Sequence, residues 1–451
     1  MAAPRRIAAC ALVALWVLQE ARFIVPSSTW IDHAGVAGLL VYFGAAFIVS
    51  QPALRVVVAL VTLSAVGVAI WRDIPLALVD GARSAILFSA FLAAMQLLKV
   101  SLEVDPRMHR LRSHHSALDA GQQHDSLMLR THLVGAIFGA GGLAVVSPIL
   151  APERPRDQRT TSAESALQGL GLAVLWSPFF VAMAVCTRLL AGIALGPAVL
   201  NGVAMGAIGL VLSHGLYGGR IRSAWLTPLF RALVETLLLA AAIVAFHEVW
   251  GIGNLEAVVI GVPVLALVIA RHALRAQAMN LAARWCNSLE AIAAEALVVG
   301  AALVLGEVLK ALLAQGVIGL PAGTAAWPLP VLLLMPTVLM LLTSLIGLHP
   351  IISASLLLPL LGSVNTLHPV VAAGSVLLGW MMCVVLSRFV VPVMYAAGLF
   401  GVSSNELVRG RNLRFCALYV PFALVYLWIL NAVLTHSAGF FQLKKLLPLT
   451  G

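Results

Sequence analysis

The sequence predicts an all-α polytopic membrane protein, and three observations carry the prediction. Of the 451 residues, 61% are apolar and only 10% are charged, too little charge to cover a soluble domain of that length. Apolar runs of the roughly 20 residues that a helix needs to cross the hydrocarbon core recur from one end of the chain to the other. The short alternating segments that build a membrane β-barrel are not seen. Arginine and lysine fall mainly in the breaks between runs, where the positive-inside effect places them. The net charge of +10 therefore reads as topology, and no nucleic-acid partner is expected.

Taken in order, the first run, "MAAPRRIAACALVALWVLQEARF", imitates a signal peptide, with Arg5 and Arg6 ahead of an apolar stretch. Gln19, Glu20 and Arg22 occupy the place of a cleavage site, so an uncleaved first helix with a cytoplasmic N-terminus is expected. Further apolar segments lie near residues 34–50, 54–71, 75–99, 129–151, 166–190, 192–214, 228–247, 255–273, 290–313, 328–346, 350–362, 367–399 and 414–435. Several are short or interrupted, and the expectation is about 10–14 membrane segments. Four regions follow: N-terminal membrane helices over 1–100, a polar cytoplasmic insertion over 101–130, and membrane units over 131–275 and 285–451.

Within the insertion, His109, His114, His115 and His124 stand near Asp119 and Asp125. Their spacing fits no zinc signature, and a solvated amphipathic loop is the expected reading. The five cysteines are scattered without CxxC spacing, which points to neither a disulfide framework nor a metal site. There is no Gly-rich phosphate loop, no HExxH and no GxSxG, so an ATP-driven pump or a membrane hydrolase has no support and no cofactor is expected.

Sliding the chain on itself by 172 residues lays "SPFFVAMAVCTRLLAGIALGPAVLNG" (Ser177–Gly202) on "HPIISASLLLPLLGSVNTLHPVVAAG" (His349–Gly374). Pro178 meets Pro350 and Pro197 meets Pro369, so two prolines recur at one spacing. The expectation is two repeated halves with Pro-broken or re-entrant helices at matching positions. Proline removes a backbone donor and clashes with the preceding turn. The carbonyls it frees are tolerated at membrane depth only where protein or a water-lined cavity satisfies them. Five crossings between 129 and 273 would make the halves inverted, whereas a re-entrant 166–190 would make them parallel; the sequence leaves both open.

Candidate chemistry collects at the two proline breaks. Ser177 and Pro178 mark the first; His349, Pro350, Ser353 and Ser355 mark the second, which is far richer in small hydroxyls. Such groups beside an opened backbone suit a dehydrated cation or the oxygens of a small anion. Arg188 follows the first break and offers a fork of donors to an oxyanion. Glu235 and Glu295 lack an obvious local partner, which makes them candidates for carrying a proton. His349 and His368 each precede a proline, as backbone caps or as titrating groups. Asp80 with Arg83 and Glu307 with Lys310 are spaced to neutralise one another on one helix face.

At these breaks the chain resembles the ion transporter superfamily, which holds divalent-anion/sodium symporters, citrate and gluconate permeases and arsenite pumps. The segments "LAVLWSPFFVAMAV" and "SLIGLHPIISASLLLPLLG" would fill the places of that group's two small, polar, substrate-binding tips. The Ser-Asn-Thr tip of its best-known symporters is absent here. The resemblance implies a secondary transporter, not an enzyme, that moves a small anionic solute across a bacterial inner membrane by alternating access. A proton or sodium gradient would drive it, the bilayer is its surroundings, and a homo-oligomer is left open. Two other readings remain: a membrane transferase of lipid-linked glycan or acyl groups using His114 and Asp119, and a non-catalytic membrane subunit.

Overall fold

The structure, a computed structural model, describes residues 2–25, 28–103, 120–146, 155–219, 254–270, 274–318 and 327–446, with isolated positions between 219 and 254. It is an all-α polytopic membrane protein. Among the described residues, eight helices are long and apolar enough to cross a membrane, and three more apolar helices are shorter.

Four helices open the chain: α1 (Ala2–Ile24), α2 (Thr29–Val49), α3 (Pro52–Trp71) and α4 (Pro75–Glu103). Pro52 begins α3 because the first helical position needs no backbone donor. Burial separates the roles of these helices. Only 17% of the apolar window of α3 is buried, against 83% for α4, so α3 faces outward and α4 is central. Two later helices, α10 (Asn254–Ala270) and the long α11 (Leu274–Ala314), pack on α4, and α1, α2 and α3 pack on α11.

The other described helices fall into two runs, each with a glycine turn and a broken helix. In the first, α5 (Ala120–Phe138) turns at Gly139 into the short α6 (Gly141–Val146), and α7 (Arg156–Val174) then runs beside α5. After a break come α8 (Val181–Leu189) and α9 (Leu195–Tyr217). In the second, α12 (Leu329–Leu345) turns at Gly347 into α13 (Pro350–Gly362), and α14 (Pro369–Leu386) runs beside α12. A break, α15 (Val391–Phe400), α16 (Ser404–Arg409) and α17 (Arg411–Leu446) complete it. Gly139 and Gly347 have φ of +57° and +92°, a region open to glycine because it lacks a Cβ.

Side-chain bonds fix the directions. His124 meets Ser165 and Ser177 meets Ala136, so α5 and α7 are parallel. Thr337 meets Ser375 and Ser344 meets Ser387, so α12 and α14 are parallel too. Between the units the sense reverses. Arg159, near the start of α7, donates to the Phe400 carbonyl at the end of α15, at 3.3 Å. Gly171 faces Met381 and Val385, and Gly192, beyond α8, faces Pro369 at the start of α14. Helices α7 and α14 are therefore antiparallel. Contacts correspond across the pair: α6 packs on α15 as α13 packs on α8, and α9 packs on α14 as α17 packs on α7.

Three sequence expectations change here. The segment 367–399 is divided at 387–390, where no break was expected, whereas 166–190 is divided at 175–180, beside the expected Pro178. The expected polar insertion does not extend to 130, because residues 120–130 already belong to α5, with His124, Asp125 and Arg130 buried. Matching bonds pair Ser177 with Ser387 and Gly139 with Gly347, whereas the 172-residue register lays α8 on α13.

Candidate functional site

The two broken helices supply the site's frame. At the first, Ser177 N donates to Ala173 O at 3.1 Å and closes α7. Pro178 follows with no donor of its own, and Phe179 N donates to the Ser177 hydroxyl at 3.2 Å. That hydroxyl in turn donates to Ala136 O on α5. Phe180 then takes extended angles (φ −84°, ψ 139°) and α8 begins. The second break repeats this without a proline at the turn. Ser387 N donates to Cys383 O at 3.0 Å, and the Ser387 hydroxyl donates to Ser344 O on α12 at 2.9 Å. Val390 takes φ −85°, ψ 138° before α15.

Each break is held from the neighbouring helix, so neither is a simple kink. At the first, Trp176 Nε1 donates to His132 Nε2 at 3.1 Å, and His132 Nδ1 donates to Gly169 O at 3.2 Å. The bond from Trp176 fixes the neutral tautomer of that buried imidazole. Sequence reading passed over His132 and Ser387. No nearby proline marks the first, and the second is signalled only indirectly, by Pro392 in the first turn of α15.

The predicted residues fall into three groups. His349 and His368 are helix N-caps: Nδ1 of each accepts the N–H two residues on, from Ile351 and Val370, both at 3.3 Å. Pro350 and Pro369 take the first-turn positions that need no donor. The capping role, of the two foreseen for these histidines, is the one the geometry displays. Ser353 shares a hydrogen bond with Thr343 at 2.7 Å across the Gly347 turn. Ser355 is fully buried and, among the described residues, its hydroxyl has no hydrogen-bond partner.

Ser355 and Leu189, the residue after Arg188, both approach Gly306 of α11. A Cβ placed on Gly306 of α11 would lie 3.0 Å from Leu189 and 3.5 Å from the Cβ of Ser355. Arg188 Nε donates to Ser84 of α4 at 2.8 Å and lies 3.4 Å from Glu307 of α11. Glu307 also pairs with Lys310 at 2.8 Å, so the pair foreseen from spacing is present but shared with a third charge. Asp80 pairs with Arg83 at 3.7 Å, and Arg83 reaches Asp32 as well, at 3.5 Å. Glu235, the side chain of Glu295, His114 and Asp119 lie outside the described residues.

A second polar cluster, also missed, ties the ends of α5, α7, α9 and α17. His124 lies between Ser165 (2.6 Å) and Ser213 (3.1 Å), Ser213 donates to Gln168 at 2.6 Å, and Gln168 donates to Asn412 at 3.0 Å. Beside it Asp125 meets His214 at 3.0 Å, and the buried Glu164 accepts the Arg411 N–H at 2.7 Å. These side chains satisfy one another, as buried polar groups must.

No family model matches the chain, and no curated protein matches it. Among solved structures, a chain of the Alcanivorax borkumensis YdaH transporter, whose crystal structure was described as revealing an unusual topology, is 16% identical. The match covers 82% of this chain and 89% of that one, with a TM-score of 0.41. A likeness at that level carries no argument about what this chain does.

Proposed function

We propose that this protein is a secondary transporter that moves a small anionic solute across a bacterial inner membrane by alternating access, driven by a proton or sodium gradient. One observation carries the reading: two antiparallel broken helices, each opened at a serine whose hydroxyl donates to the helix beside it (α5 or α12), lie against each other. A membrane protein that needs only to be anchored gains nothing from breaking two buried helices at matching places, since each break interrupts the backbone ladder in a low-dielectric core. In transporters such paired breaks position substrate between two units that rock about it. The matching contacts support an inverted duplication as the origin of the two units.

The solute contacts proposed are Ser177 and Pro178 at the first break and His349, Pro350, Ser353 and Ser355 at the second turn, with Arg188 as the anion partner. Glu235, Glu295 and His368 are the proposed proton carriers. Ser355 is the most telling of these residues, because a fully buried hydroxyl with no partner among the described residues costs about 1–3 kcal/mol unless a ligand completes it. In cells, the Ser353→Ala/Ser355→Ala double variant is expected to reach the membrane at wild-type levels and to lose uptake. Unchanged uptake would contradict the assignment.

A further inference from the structure

We infer that Arg188, Ser84, Glu307 and Lys310 form an exchange site in which a monoanionic oxyanion of the solute displaces Glu307 from Arg188. This deepens the transporter reading and rests on it. Three helices supply the four side chains: α4, α8 and α11. Glu307 is buried, its side chain 7% exposed, while Arg188 and Lys310 are 34% and 36% exposed. Two cations therefore share one buried carboxylate, one negative charge short of neutrality.

Among the described residues, neighbouring charges do not supply the missing one. Asp32 and Asp80 are matched by Arg22 and Arg83 in a separate belt across α1, α2 and α4. Arg55, on α3, bonds the Ser50 and Ile48 carbonyls. Both cations keep about a third of their side-chain surface exposed, and a single anionic oxygen pair would remove the imbalance.

Arg188 is also poised to accept one. Only its Nε is engaged; among the described residues, no bond is formed by either terminal nitrogen. A carboxylate or phosphate that grips a guanidinium side-on uses Nε together with one terminal nitrogen, so an oxyanion arriving at the free terminal nitrogen takes Nε from Ser84 and Glu307. Ser84 can release the internal carboxylate and still have its proton bonded. Its single proton reaches either Glu307 Oε1 (3.0 Å) or Asp80 O (2.9 Å), while its oxygen accepts from Arg188. When the solute takes Arg188, Glu307 keeps Lys310, Ser84 turns to Asp80 O, and every charge has one partner. When the solute leaves, Glu307 takes Arg188 back, so the empty carrier presents no bare cation as it resets. The position fits this role, because α8 belongs to the first broken helix, α11 packs beside it, and Ser355 lies one residue from the cluster through Gly306.

The test needs no transport. Full-length protein in phospholipid-free detergent micelles is treated with phenylglyoxal, and modification of Arg188 is followed by mass spectrometry. The reaction is run with sodium acetate, benzoate, succinate or phosphate, against sodium chloride. At least one of these anions is expected to slow modification severalfold, and in Glu307→Gln the same anion should protect at about a tenfold lower concentration. Glu307→Asp, which keeps the charge beside Lys310 but withdraws it from Arg188, should shift in the same direction if Glu307→Gln does not fold. No protection by any anion, or equal protection in wild type and variant, would overturn the proposal. Protection by phosphatidylglycerol but by no free anion would assign the oxyanion to a lipid headgroup and overturn it too. Loss of uptake in the Ser353/Ser355 variant with no protection at Arg188 would leave the transporter standing and remove only this site.

Discussion

A histidine before a proline does two jobs with few atoms at His349 and His368. Proline at the first helical position removes one orphan donor, and the imidazole Nδ1 accepts the next one. This local chemistry was half legible: the His-Pro pairs stood out in an apolar stretch, but capping and titration could not be told apart without coordinates. Asparagine offers the same acceptor at an N-cap and alanine offers none. His349→Ala is therefore expected to cost about 1 kcal/mol and His349→Asn far less, read as thermal unfolding midpoints in detergent. Equal losses for both variants would mean that the ring matters for something other than the cap. Arg188 was legible as a lone cation near the first break. Its partners were not, because Ser84 and Glu307 lie 104 and 119 residues away along the chain (188 − 84 and 307 − 188).

At the scale of the element, a break is readable where proline causes it and hidden where packing does. Pro178 and Pro350 announced theirs. Ser387 did not, since its turn depends on a bond to Ser344 and on α15 finding room along α7. Helices α5 and α7 show what room means. They approach so closely at Gly169 that a Cβ there would lie 2.1 Å from the Met128 carbonyl oxygen. Gly169→Ala must push the two helices apart, at a cost of about 1–3 kcal/mol, and so disturb the His132–Trp176 bond that holds the break. Gly215→Ala on α9 is the control: nothing lies within 4 Å of its added Cβ, and better helix propensity should stabilise it by about 0.5–1 kcal/mol. Thermal unfolding of the two variants should separate in opposite directions.

For the whole molecule, composition was enough to give the class. A chain with 10% charged residues can only hide its surface in lipid or in itself, and helices that satisfy their own backbone follow from that. The arrangement of the two units was not available by the same route. Sequence self-comparison chose a register set by prolines, while the units correspond through serines and glycines whose roles emerge from long-range packing. Helices α7 and α14 run in opposite senses, the crossing expected of the inverted arrangement rather than the parallel one. A scaffold of α1–α4, α10 and α11 then borders the first unit at α8 and the second at α13. Arg188, Glu307 and Lys310 lie along that border.

The most direct measurement is solute accumulation in liposomes containing only this protein, with an inward proton or sodium gradient imposed and acetate, benzoate, succinate and phosphate offered in turn. The account predicts that at least one anion concentrates inside above its external level, that dissipating the gradient releases it, and that Ser353→Ala/Ser355→Ala abolishes the gain. Internal levels no higher than in protein-free liposomes, for every anion under both gradients, would contradict it.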